Sequence, residues 1–495
     1  MEIYESARPL GAVLIPLGAV ILIGLSGKKP NLRESWTILA ALVKFCVVAS
    51  MLPLILQGKT VEYLFLTVLP GLEIKFRVDA LGIIFALTAS FLWIVTSFYS
   101  IGYMRSLDEH AQTRYYMCFA VALASAVGIA FSANLFTLFA FYEILTLCTY
   151  PLVVHKQTPE AIKGARKYLV FLLGTSIFFQ LPAIILTYFF TGTLEFSNHG
   201  IFAGKAPDFV VIIVFTLFIA GIAKAPMMPW HSWLPAAMVA PTPVSALLHA
   251  VAVVKAGVFT VVRVVLYVFG VDLLRELGLG VCLAYFASFT IIVASIMALR
   301  QDNLKLRLAY STVSQLSYII LAVALLTPGG ISGSLMHITI HAFGKITLFF
   351  TAGAIYVATQ KTNVSELDGV GKQMPFTMAA FAVGALSMVG VPPLGGFISK
   401  WFLLWGAIEA HQLLIIAVMV ASTLLNAGYY LPIVYAAFFK EPLLGKKIQF
   451  NEAPALMVVP LVITALGVLL LFFGSSFIID LAGTTVASVL GGDWR

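Results

Sequence analysis

Runs of about twenty apolar residues separated by short polar stretches recur along nearly the whole chain, and a helix of that length crosses the hydrocarbon layer of a bilayer. Fourteen such spans are predicted, near 9–26, 36–57, 79–103, 115–132, 134–154, 167–191, 209–239, 241–266, 280–299, 308–326, 333–358, 376–409, 412–438 and 454–482. Two of them, 209–239 and 376–409, are too long for one straight crossing and carry proline and glycine in the middle. The first reads as an apolar piece to Ala225, an interruption at PMMPWHSWLP and a short second piece to Ala240. The second ends a first piece at Val391, breaks at PPLGG and resumes at Phe397. Backbone groups freed at membrane depth need a polar, protein-lined setting, and paired broken helices in the two halves of a chain point to a transport site. The expected fold is an all-α polytopic membrane protein of about fourteen helices, two of them broken, with spans four to eight and nine to thirteen forming an inverted repeat. This divides the chain into 1–114 with the first three helices, 115–266 and 280–438 with the two repeats, and 439–495 with the last helix. Within the first part, Thr60 to Asp79 alternates partially around Pro70-Gly71, the pattern of a short extracytoplasmic hairpin or of an irregular loop.

Composition excludes a soluble globule: 61% of residues are hydrophobic and 11% charged, where soluble domains carry about 25% charged residues. Basic residues gather after odd-numbered spans, at Lys28, Lys29, Arg33, Arg105, Arg114, Lys156, Lys163, Arg166, Lys167, Arg300, Lys305, Arg307, Lys361, Lys372, Lys440, Lys446 and Lys447. The even loops hold Lys59, Lys75, Arg77, Lys205 and Arg275. The positive-inside rule makes the odd loops cytoplasmic and places both termini outside, in the plasma membrane of a prokaryote. The net charge of +8 follows from that bias, so nucleic acid is not an expected partner. MEIYESARP begins with acidic residues and lacks the pattern of a cleavable signal. The four cysteines, Cys46, Cys118, Cys148 and Cys282, lie far apart without CxxC spacing, so no cofactor is expected in this chain and any electrons belong to another subunit.

Candidate chemistry comes from eight ionisable residues set in apolar runs: Glu143, Lys224, His249, Lys255, His337, His341, Lys345 and Lys400. A lysine or acid at the centre of a membrane helix costs about 2.5–3.5 kcal/mol on insertion scales, which makes repeated occurrence a sign of function. Glu143, halfway along span five, must be paired, protonated or wetted, and Lys224 near the first break is its natural partner. Burial disfavours the charged form of a lysine, which readies it to load and release a proton. His249 and Lys255 lie six positions apart in span eight, about 9 Å along the axis and off one face, directed to different neighbours. His337, His341 and Lys345 recur at i, i+4 and i+8, one face about 12 Å long that suits a proton-passing column. Zinc ligation by the histidine pair is a rival reading without a clear third ligand, and no metal is expected. Lys400 follows the second break as Lys224 accompanies the first. Arg263 reads as snorkelling outward, Asp302, Lys305 and Arg307 as a solvated turn, and Asp79 as a helix cap.

The segments GIAKAPMMPWHSWLPAAMVAPTPVSALLHAVAVVKAGVF, HITIHAFGKITLF and VGVPPLGGFISK closely resemble the proton-conducting antiporter-like family. Its members are the membrane-arm antiporter-like subunits of respiratory complex I, the large subunits of Mrp-type sodium/proton antiporters, and membrane subunits of membrane-bound hydrogenases and related ferredoxin-driven complexes. The likeness covers roughly residues 75 to 440. It implies fourteen helices with inverted five-helix repeats, a central hydrophilic axis, and proton-pathway roles for the eight residues above, Lys224 being held charged by Glu143 and its proton moving through Lys255, His249 and the span-eleven column toward Lys400. The implied function is proton translocation within a multisubunit ion-pumping complex, with other membrane subunits, peripheral redox subunits and lipid as partners. An Mrp-type antiporter subunit without redox chemistry, and with sodium as a second ion, is the alternative. Many relatives carry an acidic residue after WLP where this chain has Ala236, and the chain ends soon after span fourteen, without the long lateral helix of the largest members.

Overall fold

The computed structural model describes residues 2–441 and 450–491; Lys446 and Lys447, counted above among the basic loop residues, lie outside the described residues. Among the described residues, twelve helices are long and apolar enough to cross a membrane, from Arg8–Leu25 to Ala455–Phe473, and each overlaps an expected span. The remaining two expected spans are the broken ones. Proline at the first turn starts several helices, among them Pro30–Ala49, Pro159–Thr175 and Pro328–Thr359, where a missing N–H costs nothing. Asp79, Asn134, Thr158, Asn303 and Thr327 each accept a backbone N–H of the following helix, so Asp79 is the cap expected of it.

The first break begins earlier than expected, after the helix Asp208–Gly221, and the chain continues as a set of short turns, Trp230–Ser232, Trp233–Ala236 and Ala237–Val239, rather than as a second helical piece. Pro226, Pro229 and Pro235 explain this, since none can donate the backbone bond that a helix requires. Side chains satisfy freed backbone groups: Trp233 Nε1 donates to the Ala223 carbonyl at 2.9 Å, and Thr290 Oγ1 accepts from Met228 N at 3.3 Å. In the second break, Pro375–Val389 ends at Gly390 in the left-handed region (φ +96°), and Gly395–Glu409 follows. Gly396 sits so close to the first piece that a Cβ there would lie 1.7 Å from the Ser387 carbonyl oxygen, which excludes any other residue.

Two helices are enclosed throughout: the most apolar windows of Thr242–Phe269 and Pro328–Thr359 are 100% buried, against 33% for Arg8–Leu25. A helix apolar on all sides belongs in the middle of a bundle. These two carry five of the eight candidate residues. Thr242–Phe269 is wound irregularly, with π-helical stretches at Leu247–Val251 and Val264–Phe269, a deviation frequent at functional sites.

Thr60–Leu69 and Leu72–Val78 pair as an antiparallel hairpin, and Ile3–Glu5 adds a parallel strand beside it. Beneath the hairpin, Glu62 pairs with Arg77 and Lys75, and Lys75 Nζ also lies 2.8 Å from Glu195. Arg263 does not snorkel: it is buried at 2% exposure, pairs with Asp79, and stacks near Phe259 and Tyr267. A cavity of about 170 Å³ here is lined by Ile3, Glu62, Arg77, Arg263 and Ser488, so both ends of the described chain lie on the hairpin side. At the other end of the helix that starts at Asp79, Tyr103 joins Lys156, Lys305 and Lys361 around a second cavity of about 270 Å³. The turn around Asp302 is accordingly less solvated than expected, with Lys305 Nζ donating to the Ala240 carbonyl at 2.7 Å and Arg307 Nη1 to that of Tyr429 at 3.1 Å.

Removing Arg263 while Asp79 stays would leave a poorly solvated carboxylate. Arg263→Leu is expected to cost about 3–5 kcal/mol, read as a lowered thermal midpoint of the detergent-solubilised protein, and adding Asp79→Asn is expected to recover part of the loss. An unchanged midpoint for Arg263→Leu contradicts this.

Candidate functional site

The helical face carrying His337, His341 and Lys345 packs inside the bundle, and its three side chains go to different partners. His341 Nδ1 lies 2.9 Å from Lys255 Nζ on the other enclosed helix, a hydrogen bond between an amine and an imidazole. The His341 and His337 rings follow one another at 5.7 Å between centroids, and His337 Nδ1 lies 2.9 Å from Ser399 Oγ. Ser399 adjoins Lys400, whose Nζ donates to the carbonyls of Met388 and Val389 at 2.7 and 3.0 Å. Those carbonyls end a helix at the second break and have no next turn to accept from, so the break itself creates the binding place for the lysine. The Tyr318 ring lies between, 6.1 Å from His337 and 5.3 Å from the Lys400 ammonium. Lys255, His341, His337 and Ser399 thus form one line, with the Tyr318 ring between its His337 end and Lys400.

Lys345 leaves that line. Its ammonium donates to Ser311 Oγ at 2.7 Å, Tyr430 OH at 3.0 Å and the Leu308 carbonyl at 3.2 Å, which uses all three of its protons. His249 is enclosed with neither ring nitrogen hydrogen-bonded to protein, its ring 4.5 Å from that of Phe349. The contact between Thr242–Phe269 and the His337–His341 face is therefore made by Lys255, which touches His341 directly, and not by His249.

Lys224 lies in the first break, completely buried, and Nζ donates to Tyr142 O and Thr146 Oγ1, both at 2.7 Å. The expected ion pair with Glu143 is not formed. Tyr142 and Thr146 share a face of Leu135–Val153, while Glu143 points about 100° away around that helix, and both of its carboxylate oxygens are buried without a hydrogen-bond partner. Gly257 holds Lys224 against the Lys255 helix: a Cβ there would meet the Lys224 carbonyl carbon at 2.2 Å. The two broken-span lysines are not geometrically equivalent, since Lys224 sits in the unwound segment and Lys400 in the helix after it.

Among the described residues no carboxylate lies within 4.0 Å of Lys224, Lys255, Lys345 or Lys400, so neutral oxygens and imidazole nitrogen hold every one of these heads. Lys255 Nζ stands at His341 Nδ1 and Ser399 Oγ at His337 Nδ1, and among the described residues no third His, Cys, Asp or Glu donor gathers with the two histidines. Sequence reasoning missed the oxygen partners Tyr142, Thr146, Ser311, Ser399 and Tyr430, as hydroxyls in membrane helices routinely bond their own backbone. It also missed Lys44, fully buried in Pro30–Ala49 with Nζ donating to Leu123 O at 3.0 Å, although a lysine inside an apolar run was the signal used elsewhere.

Enclosed amines and imidazoles strung between two interrupted helices define a multi-pass membrane protein with buried basic groups at its centre. The family described as NADH:quinone oxidoreductase/Mrp antiporter, TM, matches residues 132–426. NADH-quinone oxidoreductase subunit N of Desulforudis audaxviator (strain MP104C) is 33% identical over 416 residues, covering 81% of this chain and 82% of that protein. The chain spans about half the length, 55%, of the chloroplastic NAD(P)H-quinone oxidoreductase subunit 5 of Zygnema circumcarinatum that it also matches. In fold it is similar to a chain of the Mrp complex from Dietzia sp. DQ12-45-1b (TM-score 0.88, 22% identity, 98% of this chain and 97% of that one). It is equally similar to a chain of the membrane-bound sulfane sulfur reductase, an archaeal respiratory membrane complex (TM-score 0.88, 24% identity, 98% of each). This protein belongs to the NADH:quinone oxidoreductase/Mrp antiporter family of antiporter-like membrane subunits.

Thr146→Val removes one of the two side-on oxygens of the Lys224 ammonium. It is expected to cost about 1–3 kcal/mol, seen as a lower thermal midpoint, whereas Thr216→Val on the exposed Asp208–Gly221 surface is expected to change nothing.

Proposed function

We propose that this chain moves protons within a multisubunit ion-pumping membrane complex, along a relay of Lys224, Lys255, His341, His337 and Lys400 with Glu143, His249 and Lys345 as flanking charges. The observation that carries the reading is the Lys255–His341 contact continued through His337 and Ser399 to Lys400, because it supplies adjacent groups that titrate by the same proton. An imidazole takes a proton at one ring nitrogen and releases one at the other. Nδ1 of His341 faces Lys255, and Nε2 of both His341 and His337 is buried without a protein hydrogen bond, available to exchange a proton.

Glu143 and Lys400, the two ends of the series, are also the members only partly enclosed, next to outward-facing Ile144 and Trp401. A neighbouring membrane subunit packed at those margins brings its own charges close to the relay. At an effective dielectric of about 20, drawing an opposite charge from about 4 to about 7 Å weakens the interaction by roughly 2 kcal/mol, more than tenfold in a proton-transfer equilibrium. A shift of that size in a neighbouring subunit's charge therefore suffices to drive transfer.

Fourteen crossings in two inverted five-helix repeats fit the twelve long helices plus two broken spans. With basic loops cytoplasmic, the hairpin and both termini lie outside, in a prokaryotic plasma membrane. Redox chemistry, where the complex performs it, belongs to peripheral partner subunits. Sodium exchange by this chain alone is disfavoured by its carboxylates: buried Glu34 and Glu62 are each tied to arginine, which leaves Glu143, among the described residues, without a second acid beside it to form a cation site.

Lys224→Ala and Lys400→Ala, each in the assembled complex reconstituted into liposomes, are expected to lower proton transport at least about tenfold with subunit content unchanged. A scaffold role predicts full transport in both variants.

A further inference from the structure

Away from the relay, a second group of titratable side chains meets at the basic end of the bundle. Glu109 and His110 stand in the turn between Ala80–Ser106 and Gln112–Ala130, and His155 follows the end of Leu135–Val153. One ligand atom from each of the three lies within 4.8 Å of the others. His155 is completely buried, yet neither ring nitrogen reaches a partner at hydrogen-bond distance; its nearest charged neighbour is Glu109 Oε2, 3.6 Å from Nε2. The His110 ring lies over it at 4.7 Å between centroids. A buried imidazole with unused nitrogens, facing a carboxylate and a second imidazole, is a costly arrangement for a merely structural histidine.

We propose that Glu109, His110 and His155 bind a divalent transition-metal cation, Zn²⁺ by donor type, with a fourth position left to water. Two imidazole nitrogens and one carboxylate oxygen form a donor set typical of zinc sites with an open position. Tetrahedral bonds of about 2.0–2.1 Å place donors about 3.3 Å apart, so the three must draw together by up to roughly 1.5 Å. His110 is exposed on its turn and free to make that movement, whereas His155 is fixed. Asp108 and Ala111, on either side of Glu109-His110, hold left-handed backbone at φ +46° and +47° and shape the turn that carries the pair. Lys156, next to His155, has its ammonium 6.0 Å from the Tyr356 ring in the lining of the 270 Å³ cavity. Bound metal would tie the turn after one helix to the end of Leu135–Val153, the helix whose Tyr142 and Thr146 hold Lys224.

The test is equilibrium dialysis of the purified, metal-stripped complex against Zn²⁺ alone, comparing wild type with His110→Ala, Glu109→Gln and His155→Gln. Wild type is expected to hold one more zinc per copy of this chain than His110→Ala or Glu109→Gln, or to bind it at least about tenfold more tightly. The zinc X-ray absorption edge of the difference should show two imidazole nitrogens. His110 is exposed, so His110→Ala should keep the wild-type thermal midpoint and guards against a folding defect in His155→Gln. Equal zinc content and affinity in wild type and the His110 and Glu109 variants overturns the proposal.

Discussion

An ammonium inside a lipid-embedded bundle needs oxygen or nitrogen around it, and an intact helix has few carbonyls to spare. The two breaks resolve that conflict. At the second, the last carbonyls of Pro375–Val389 accept from Lys400; at the first, unwinding lets Lys224 turn onto the Tyr142 carbonyl and Thr146 hydroxyl of a neighbouring helix. Prolines create the openings, and Gly257 and Gly396 allow the backbones to close around them. Without the breaks the lysines would lack partners; without the lysines the breaks would expose unpaired backbone to an apolar interior.

The choice of partners bears directly on function. A lysine fixed by a carboxylate in a poorly screened interior keeps its proton, because separating the two charges is costly. Neutral carbonyls, hydroxyls and imidazoles support the charged form more weakly, and they leave the proton open to exchange. Lys345 turns away from the His337–His341 line into a cluster of neutral oxygens, donating to Ser311 Oγ, Tyr430 OH and the Leu308 carbonyl. Arg263–Asp79 shows the contrasting use of charge, a bidentate pair that fastens the hairpin end of the bundle.

Much of this was legible from the chain. Apolar runs located each long helix, and the charged residues within them located the buried amines and imidazoles of the bundle, because both signals are large on the scale of membrane insertion. The break at PPLGG was placed to within a few residues. The break at PMMPWHSWLP began earlier, at Gly221, because spacing of apolar residues does not report where prolines farther along exhaust the backbone bonds. Partner choice was the least legible: the Glu143–Lys224 pair was inferred from charge alone, yet one position around a helix turned the carboxylate away and left the ammonium to Thr146, a residue of no special appearance. Lys44 was overlooked for the opposite reason, being isolated from any motif.

The central claim is that protons cross between the two enclosed helices at the Lys255–His341 contact. It is tested most directly by His341→Gln in the complete complex reconstituted into liposomes, with the internal pH followed by a trapped dye while the complex runs its own driving reaction. Glutamine keeps a hydrogen bond to Lys255 but does not titrate, so the predicted result is an assembled complex whose proton transport falls at least about tenfold. A wild-type pH gradient in His341→Gln would contradict it.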